Sequence, residues 1–337
     1  MRIATATAVV IGVVVLIGAF GSVLHSLGWR RVKRIIGGLQ STVSEDRWSF
    51  APSLRALIVG ESEFVQCGAT IISKRHLLTA AHCVAFYGKV SGADIRMVDY
   101  ANELWIDMRL INDINDTNRE NYNITTRYYF HPSYRFQKFA NDIAIVEMPE
   151  GFDFGVEPIR LAADFKEDEG EMAFTVGYGK YNPGNVTSEM RESYHLREGI
   201  FVFREAAYCS QTWAKPDIRR KLCAGEYGRG TAIGDSGGPL MKNGDDGKWY
   251  QVGICSYGRR NHSIDRKTYP GINTRISFYC PWIEEVTAGE ATCHPYERQI
   301  KENPAEVLVR DRVENLSSKS PHLTALLAIL LTLLPLS

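Results

Sequence analysis

Gly234-Asp235-Ser236-Gly237-Gly238-Pro239 is the stretch that decides how this chain reads. Glycines carry no side chain to block a close approach, so backbone N–H groups can gather round the Ser236 hydroxyl. That arrangement suits an acyl-transfer nucleophile with an oxyanion hole. Taken alone, the same composition is an ordinary turn. Two upstream segments tip the balance. Leu78-Thr79-Ala80-Ala81-His82-Cys83 carries a histidine at the end of an apolar run, and Asn141-Asp142-Ile143-Ala144-Ile145-Val146 opens another run with an aspartate. A serine hydroxyl is a weak nucleophile until a base takes its proton, and a neutral imidazole needs a carboxylate to fix its tautomer. Singly, His82 reads as a core histidine and Asp142 as a strand or turn cap. Together, in the order His82, Asp142, Ser236, they supply base, orienter and nucleophile.

With these residues in place the chain resembles the trypsin/chymotrypsin family of serine endopeptidases. The resemblance is carried by Ile35-Ile36-Gly37-Gly38, the three segments above and Ser256-Tyr257-Gly258, and it covers about three quarters of the chain. It implies an all-β fold of two antiparallel six-stranded β-barrels, the active site in the cleft between them, and a short C-terminal helix. Short apolar and alternating runs agree with this: 54–59, 64–72, 76–80, 143–148, 172–176 and 251–255 read as strands, and 278–286 as the closing helix. The resemblance assigns catalysis to His82, Asp142 and Ser236, and the oxyanion hole to the N–H groups of Gly234 and Ser236. It assigns Ser256 to a hydrogen bond with Asp142. Residues Ser256, Tyr257 and Gly258 would pair with extended substrate backbone. Because the base must be neutral, activity should fall on acidification. A catalytically silent homologue acting as an extracellular binding module is the alternative reading.

Arg30-Arg31-Val32-Lys33-Arg34 abuts the expected mature N-terminus at Ile35. In the resembled family the new Ile35 amine pairs with the acid before the nucleophile, here Asp235, so the chain reads as a zymogen activated by cleavage after Arg34. The basic run also looks like a site for a proprotein convertase. Where trypsin-like members carry an aspartate at the base of the primary pocket, this chain has Gly230, followed by Thr231, with Gly271 on the opposite wall. The expected pocket is open and mainly apolar, favouring a large apolar or aromatic residue before the scissile bond.

Seven cysteines are an odd count. The resemblance implies Cys67–Cys83 and Cys209–Cys223 bridges. It also implies a pocket-wall bridge that is missing here, since Ala232 stands at its first position. Cys255 reads as a buried free thiol, and Cys280–Cys293 as an open pairing with little support for zinc. No metal or cofactor is expected. The polar stretch 112–123 reads as a decorated surface loop rather than a calcium site built on Asp113, Asp116 and Glu120.

The 337 residues are 45% hydrophobic with 39 basic and 39 acidic side chains, a globular balance whose zero net charge argues against nucleic acid or an acidic membrane surface as partner. Expected partners are protein or peptide substrates, the activating convertase and serine-protease inhibitors. Residues 1–25 read as a signal peptide and 26–34 as a propeptide, with the protease domain at 35–288, a polar stalk at 289–321 and an apolar tail at 322–337. The apolar part of that tail, as a helix, is about 21 Å long, short of a hydrocarbon core of about 30 Å. It therefore reads as a GPI-attachment signal or a short tail anchor. Asn115, Asn123, Asn185, Asn261 and Asn315 open glycosylation triplets. The expectation is a secreted protein, tethered to the outer cell surface if the tail signal is used.

Overall fold

Ala144, Ile145 and Val146 are apolar without alternation because their strand is covered on both faces; all three are fully buried. The computed structural model describes residues 39–40, 47–57, 64–87, 97–100, 103–107, 121–124, 127–135, 138–181, 191, 193, 195–213, 217–259 and 265–296. The expected signal peptide, propeptide with Arg34, Ile35, the 112–120 acids, Asn115, Asn185, Asn261, Asn315 and the tail lie outside the described residues. Of Asn123, only the backbone is described.

The first half contains β1 (Leu39–Gln40), β2 (Ser53–Leu57), β3 (Phe64–Gly68), β4 (Thr70–Ile71), β5 (His76–Thr79), β6 (Ala85–Tyr87), β7 (Met97–Tyr100), β8 (Glu103–Asp107), β9 (Asn121–Ile124), β10 (Arg127–Phe130) and β11 (Ala144–Glu147). All but β1 build two antiparallel sheets, β3-β2-β8-β9 and β10-β11-β5-β4, and the ribbon β6-β7; Leu39 and Gln40 of β1 pair instead with Glu198 and Arg197. Only Ala69 separates β3 from β4, so one run of chain serves both sheets. Its turn is held by Ala69 N–H on Pro52 O (3.1 Å) and Ile71 N–H on Phe50 O (2.7 Å). Leu54, Ile71, Leu77, Leu78 and Ile145 fill the core between these sheets, each fully buried.

The second half contains β12 (Arg160–Ala162), β13 (Met172–Gly177), β14 (Arg197–Arg204), α1 (Ala206–Thr212), β15 (Lys221–Ala224), β16 (Pro239–Asn243), β17 (Trp249–Tyr257), β18 (Gly271–Arg275), α2 (Cys280–Val286) and β19 (Cys293–His294). The ladder runs β13-β14-β15-β18-β17-β16 and returns to β13, a closed six-stranded barrel. Closure leaves no free edge within the ring. On β14 the alternation turns Phe201 and Phe203 inward, where they pack with Phe165, Leu222, Leu240 and Tyr250. The turn Gly244–Lys248 closes on itself, Gly244 N–H donating to Lys248 O at 2.8 Å.

Strands dominate and the expected C-terminal helix is present as α2, with Pro281 in its first turn where the missing N–H costs nothing. One boundary moves. Residues 289–296, assigned to the stalk from their polarity, belong to the folded unit. β19 pairs in parallel with β12, Cys293 is bonded to Cys280, and the Tyr296 ring meets Phe165 and Tyr250 at 5.3 Å each. Strand pairing satisfies the backbone of this segment, which composition alone does not reveal. Among the described residues no helix is long and apolar enough to cross a membrane.

Candidate active site

Thr79 at the end of β5 pairs with Ala144 at the start of β11. The chain leaving β5 and the chain entering β11 therefore share one end of the sheet, which brings His82 and Asp142 together although 60 positions separate them. His82 sits in a 3₁₀ turn, Ala81–Cys83, pinned by the Cys67–Cys83 disulfide. Its backbone N–H donates to Asp142 Oδ1 (2.9 Å) and its Nδ1 lies 2.8 Å from Oδ2. The Ser256 hydroxyl also donates to Oδ2. Asn141 fixes the approach: its amide donates to Ser133 O, and its Oδ1 accepts from Arg220 (2.8 Å) and the Tyr279 hydroxyl (3.0 Å).

Asp142 is fully buried. Burial alone would raise its pKa. The charge and hydrogen bond of His82, the charge of Lys221 and the Ser256 bond outweigh that and hold the carboxyl at about 2. It is thus a carboxylate wherever the protein works. Lys221 is itself buried behind it, donating to Phe139 O at 2.7 Å and Thr274 Oγ1 at 3.2 Å. Burial pulls its pKa down to about 8, against the attraction of Asp142.

Ser236 is placed by the barrel. Gly237 N–H donates to Cys255 O (2.8 Å), Cys255 N–H to Gly238 O (2.9 Å), and Gly68 N–H to Ser236 O (2.7 Å), so β17 and β3 clamp the loop from two sides. Glycine is required here: a Cβ on Gly237, whose φ is +80°, would lie 2.2 Å from Thr79 Oγ1. Ser236 and His82 line one cavity of 440 Å³ with Gly234, Ser256, Tyr257 and Gly258. No hydrogen bond joins Ser236 Oγ to His82 Nε2 in this structure. The N–H groups of Gly234 and Ser236 have no acceptor among the described residues. Phe139 stands between His82 and Tyr257, with ring centroids 5.5 and 5.0 Å away.

Asp235 points the other way, into the protein, at 1% exposure. Its Oδ1 accepts from Gly179 N–H (2.9 Å) and its Oδ2 from Ala232 N–H (2.8 Å). Burial raises its pKa to about 6, although those two bonds and the charges of Arg266 and Arg197 pull down. No cation forms an ion pair with it among the described residues. The Ala232 bond ties the pocket wall at the position where the bridge is missing.

Thr231 lines the cavity; Gly230 and Gly271 stand outside its lining. The pocket holds a residue that the sequence reading overlooked. Arg266 is 5% exposed and lines the same cavity, lying against Gly230 and Gly258. No local motif marks it, because it follows Ser236 by 30 positions and meets the glycines only through the fold. Three disulfides are formed, Cys67–Cys83, Cys209–Cys223 and Cys280–Cys293. Cys255 is the free, buried thiol, its pKa pushed up to about 12 by burial. Cys67, His82 and Cys83 bring their ligand atoms within 4.8 Å of one another, but the disulfide consumes both sulfurs.

The family model described as Trypsin matches residues 35–283. Over 272 residues the chain is 30% identical to CLIP domain-containing serine protease B9 of Anopheles gambiae, covering 74% of this chain and 62% of that protein. It is 31% identical over 261 residues to Transmembrane protease serine 7 of Mus musculus, covering 75% of this chain and 28% of the other. With Trypsin, alkaline C of Manduca sexta it shares 28% identity over 268 residues, 74% of this chain and 90% of that one. The chain thus spans less than two thirds of the first two relatives. A match over most of the chain, joined to a closed six-stranded barrel and a buried Asp142 carboxylate bonded to His82 beside Ser236, makes this chain a member of the trypsin family.

Proposed function

We propose that the chain is a serine endopeptidase made as a zymogen. Ser236 attacks the scissile carbonyl to form an acyl-enzyme, His82 takes its proton and returns it to the leaving amine, and Asp142 orients the imidazole and stabilises its charged form. The N–H groups of Gly234 and Ser236 receive the oxyanion; losing such a donor typically costs about 10²–10³ in rate. The observation that carries this reading is the carboxylate of Asp142, fully buried yet held ionised against Nδ1 of His82. A buried charge is expensive unless it is paired, and this one is spent on holding one imidazole beside the Ser236 cavity.

Cleavage after Arg34 by a proprotein convertase releases the Ile35 amine, which pairs with Asp235. Support comes from Asp235 itself, a buried carboxyl without an ion-pair partner among the described residues. The three disulfides fit an oxidising compartment, in line with a signal peptide, glycans on the five sequons, and release or lipid tethering at the outer cell surface. Serine-protease inhibitors are the expected antagonists. A large apolar residue before the scissile bond was the reading of the pocket sequence; Arg266 argues for a different occupant.

The test is a fluorophosphonate probe on the chain cut after Arg34. Labelling that disappears in Ser236→Ala supports the enzyme; an unlabelled cut chain refutes it. A silent homologue that only binds is the second reading, favoured by the missing hydrogen bond between Ser236 and His82. Such bonds commonly tighten only when substrate is bound.

A further inference from the structure

We propose that Arg266 selects an acidic side chain, aspartate or glutamate, as the substrate residue before the scissile bond. The inference rests on the serine-protease reading and names the substrate class of the same site.

Arg266 is nine-tenths buried, at 5% exposure, and lines the cavity that holds Ser236 and His82. Its Nε and Nη1 are fully buried and have no hydrogen-bond partner among the described residues. Two glycines make its slot: a Cβ on Gly230 would lie 2.8 Å from Arg266 Cγ, and one on Gly258 would lie 2.8 Å from Nη1. A side chain at Gly230 would press on the Arg266 stem, and one at Gly258 on its guanidinium. Among the described residues the cavity lining holds a second cation, Arg259, and no carboxylate. Arg259 rests over the Tyr269 ring at 3.8 Å. Among the described residues, Asp235 is the acid whose charge acts on Arg266, and its two oxygens accept from Gly179 and Ala232. Glu226 pairs with Arg229 at 3.8 Å in the neighbouring turn, and it is not among the residues lining the cavity.

A guanidinium cannot shed its charge in a protein, so donors left unpaired in a low-dielectric pocket carry the full desolvation penalty. A carboxylate entering the pocket relieves that penalty and gains charge-assisted hydrogen bonds. A phenyl or isobutyl group would bury the donors further and relieve nothing. A lysine or arginine would meet like charge. The same argument disfavours self-cleavage after Arg34, in keeping with activation by another protease.

The experiment is cleavage profiling of the protein cut after Arg34, using matched fluorogenic peptides that differ only before the scissile bond. Glu against Gln and Asp against Asn are the deciding pairs, because shape is held while charge changes. We expect the acidic member to lead by at least about 10²-fold in kcat/KM, the scale of a desolvated charge pair. In Arg266→Glu that preference is lost and Lys or Arg substrates gain; in Arg266→Ala it is lost without that gain. Fluorophosphonate labelling of Ser236 reports whether each variant is folded and competent. A labelled wild-type enzyme that prefers Phe or Leu, or treats Glu and Gln alike, overturns the proposal while leaving the protease reading intact. So does a labelled Arg266 variant that keeps the acidic preference. A wild-type enzyme that is cut yet unlabelled overturns both. The wild-type Glu/Gln comparison decides even if the variants fail to fold.

Discussion

Raising the pH of the uncut chain from about 3 to about 7 should cost it about 3 kcal/mol through Asp235 alone. The carboxyl is 1% exposed, and burial lifts its pKa from 3.8 to about 6. Between those values the folded chain keeps a proton that the unfolded chain has already released. Stability therefore falls as pH rises through the window. The contribution is fully present below 3.8 and gone above about 6. A shift of about two units, at 1.36 kcal/mol each, gives the figure. The assay is urea unfolding across that range with disulfides intact, comparing wild type with Asp235→Asn, which keeps the shape and cannot titrate. The stability gap between the two should move by about 3 kcal/mol against the wild type as pH rises. A gap that stays constant, or that moves in favour of the wild type, refutes the reasoning. After cleavage at Arg34 the sign should reverse, because an ammonium at Ile35 favours the carboxylate. A cut protein that keeps the slope of the uncut one would refute that pairing.

Asp142→Asn removes the carboxylate that receives His82 Nδ1, the His82 N–H and the Ser256 hydroxyl. It should lower kcat by about 10⁴ without unfolding the chain, and steady-state assays showing less than a tenfold loss would contradict the assignment. Replacing Cys67 and Cys83 by alanine opens a bond spanning 16 positions. Unfolding experiments should find a loss of about 3 kcal/mol, with kcat reduced as well because the turn carrying His82 loses its pin. Gly237→Ala forces a Cβ into Thr79 Oγ1 and, at 2.5 Å, into Gly68 O. It should destabilise by about 3 kcal/mol and slow fluorophosphonate labelling of Ser236; a neutral variant would mean that the loop is not clamped as described.

The parts legible in the sequence are those whose chemistry is local. Ser236 is read from its own glycines, His82 and Asp142 from the apolar strands that deliver them, and Cys255 from its apolar run. The stalk boundary was misplaced because residues 289–296 are polar and short, and their strand pairs with β12, more than 120 positions away, where no local pattern marks it. The lack of an ion-pair partner for Asp235 among the described residues was likewise invisible, since it depends on what surrounds one carboxyl in space.

Sequence by itself determined the family and the all-β class and named the three candidate reacting groups, because each follows from side-chain chemistry or from a short run of hydrophobicity. Only the tertiary structure decided what the pocket beside Ser236 contains. Arg266 reaches that pocket through space left by two absent side chains, at Gly230 and Gly258, and a void made by residues far apart along the chain exists only once the barrel has closed.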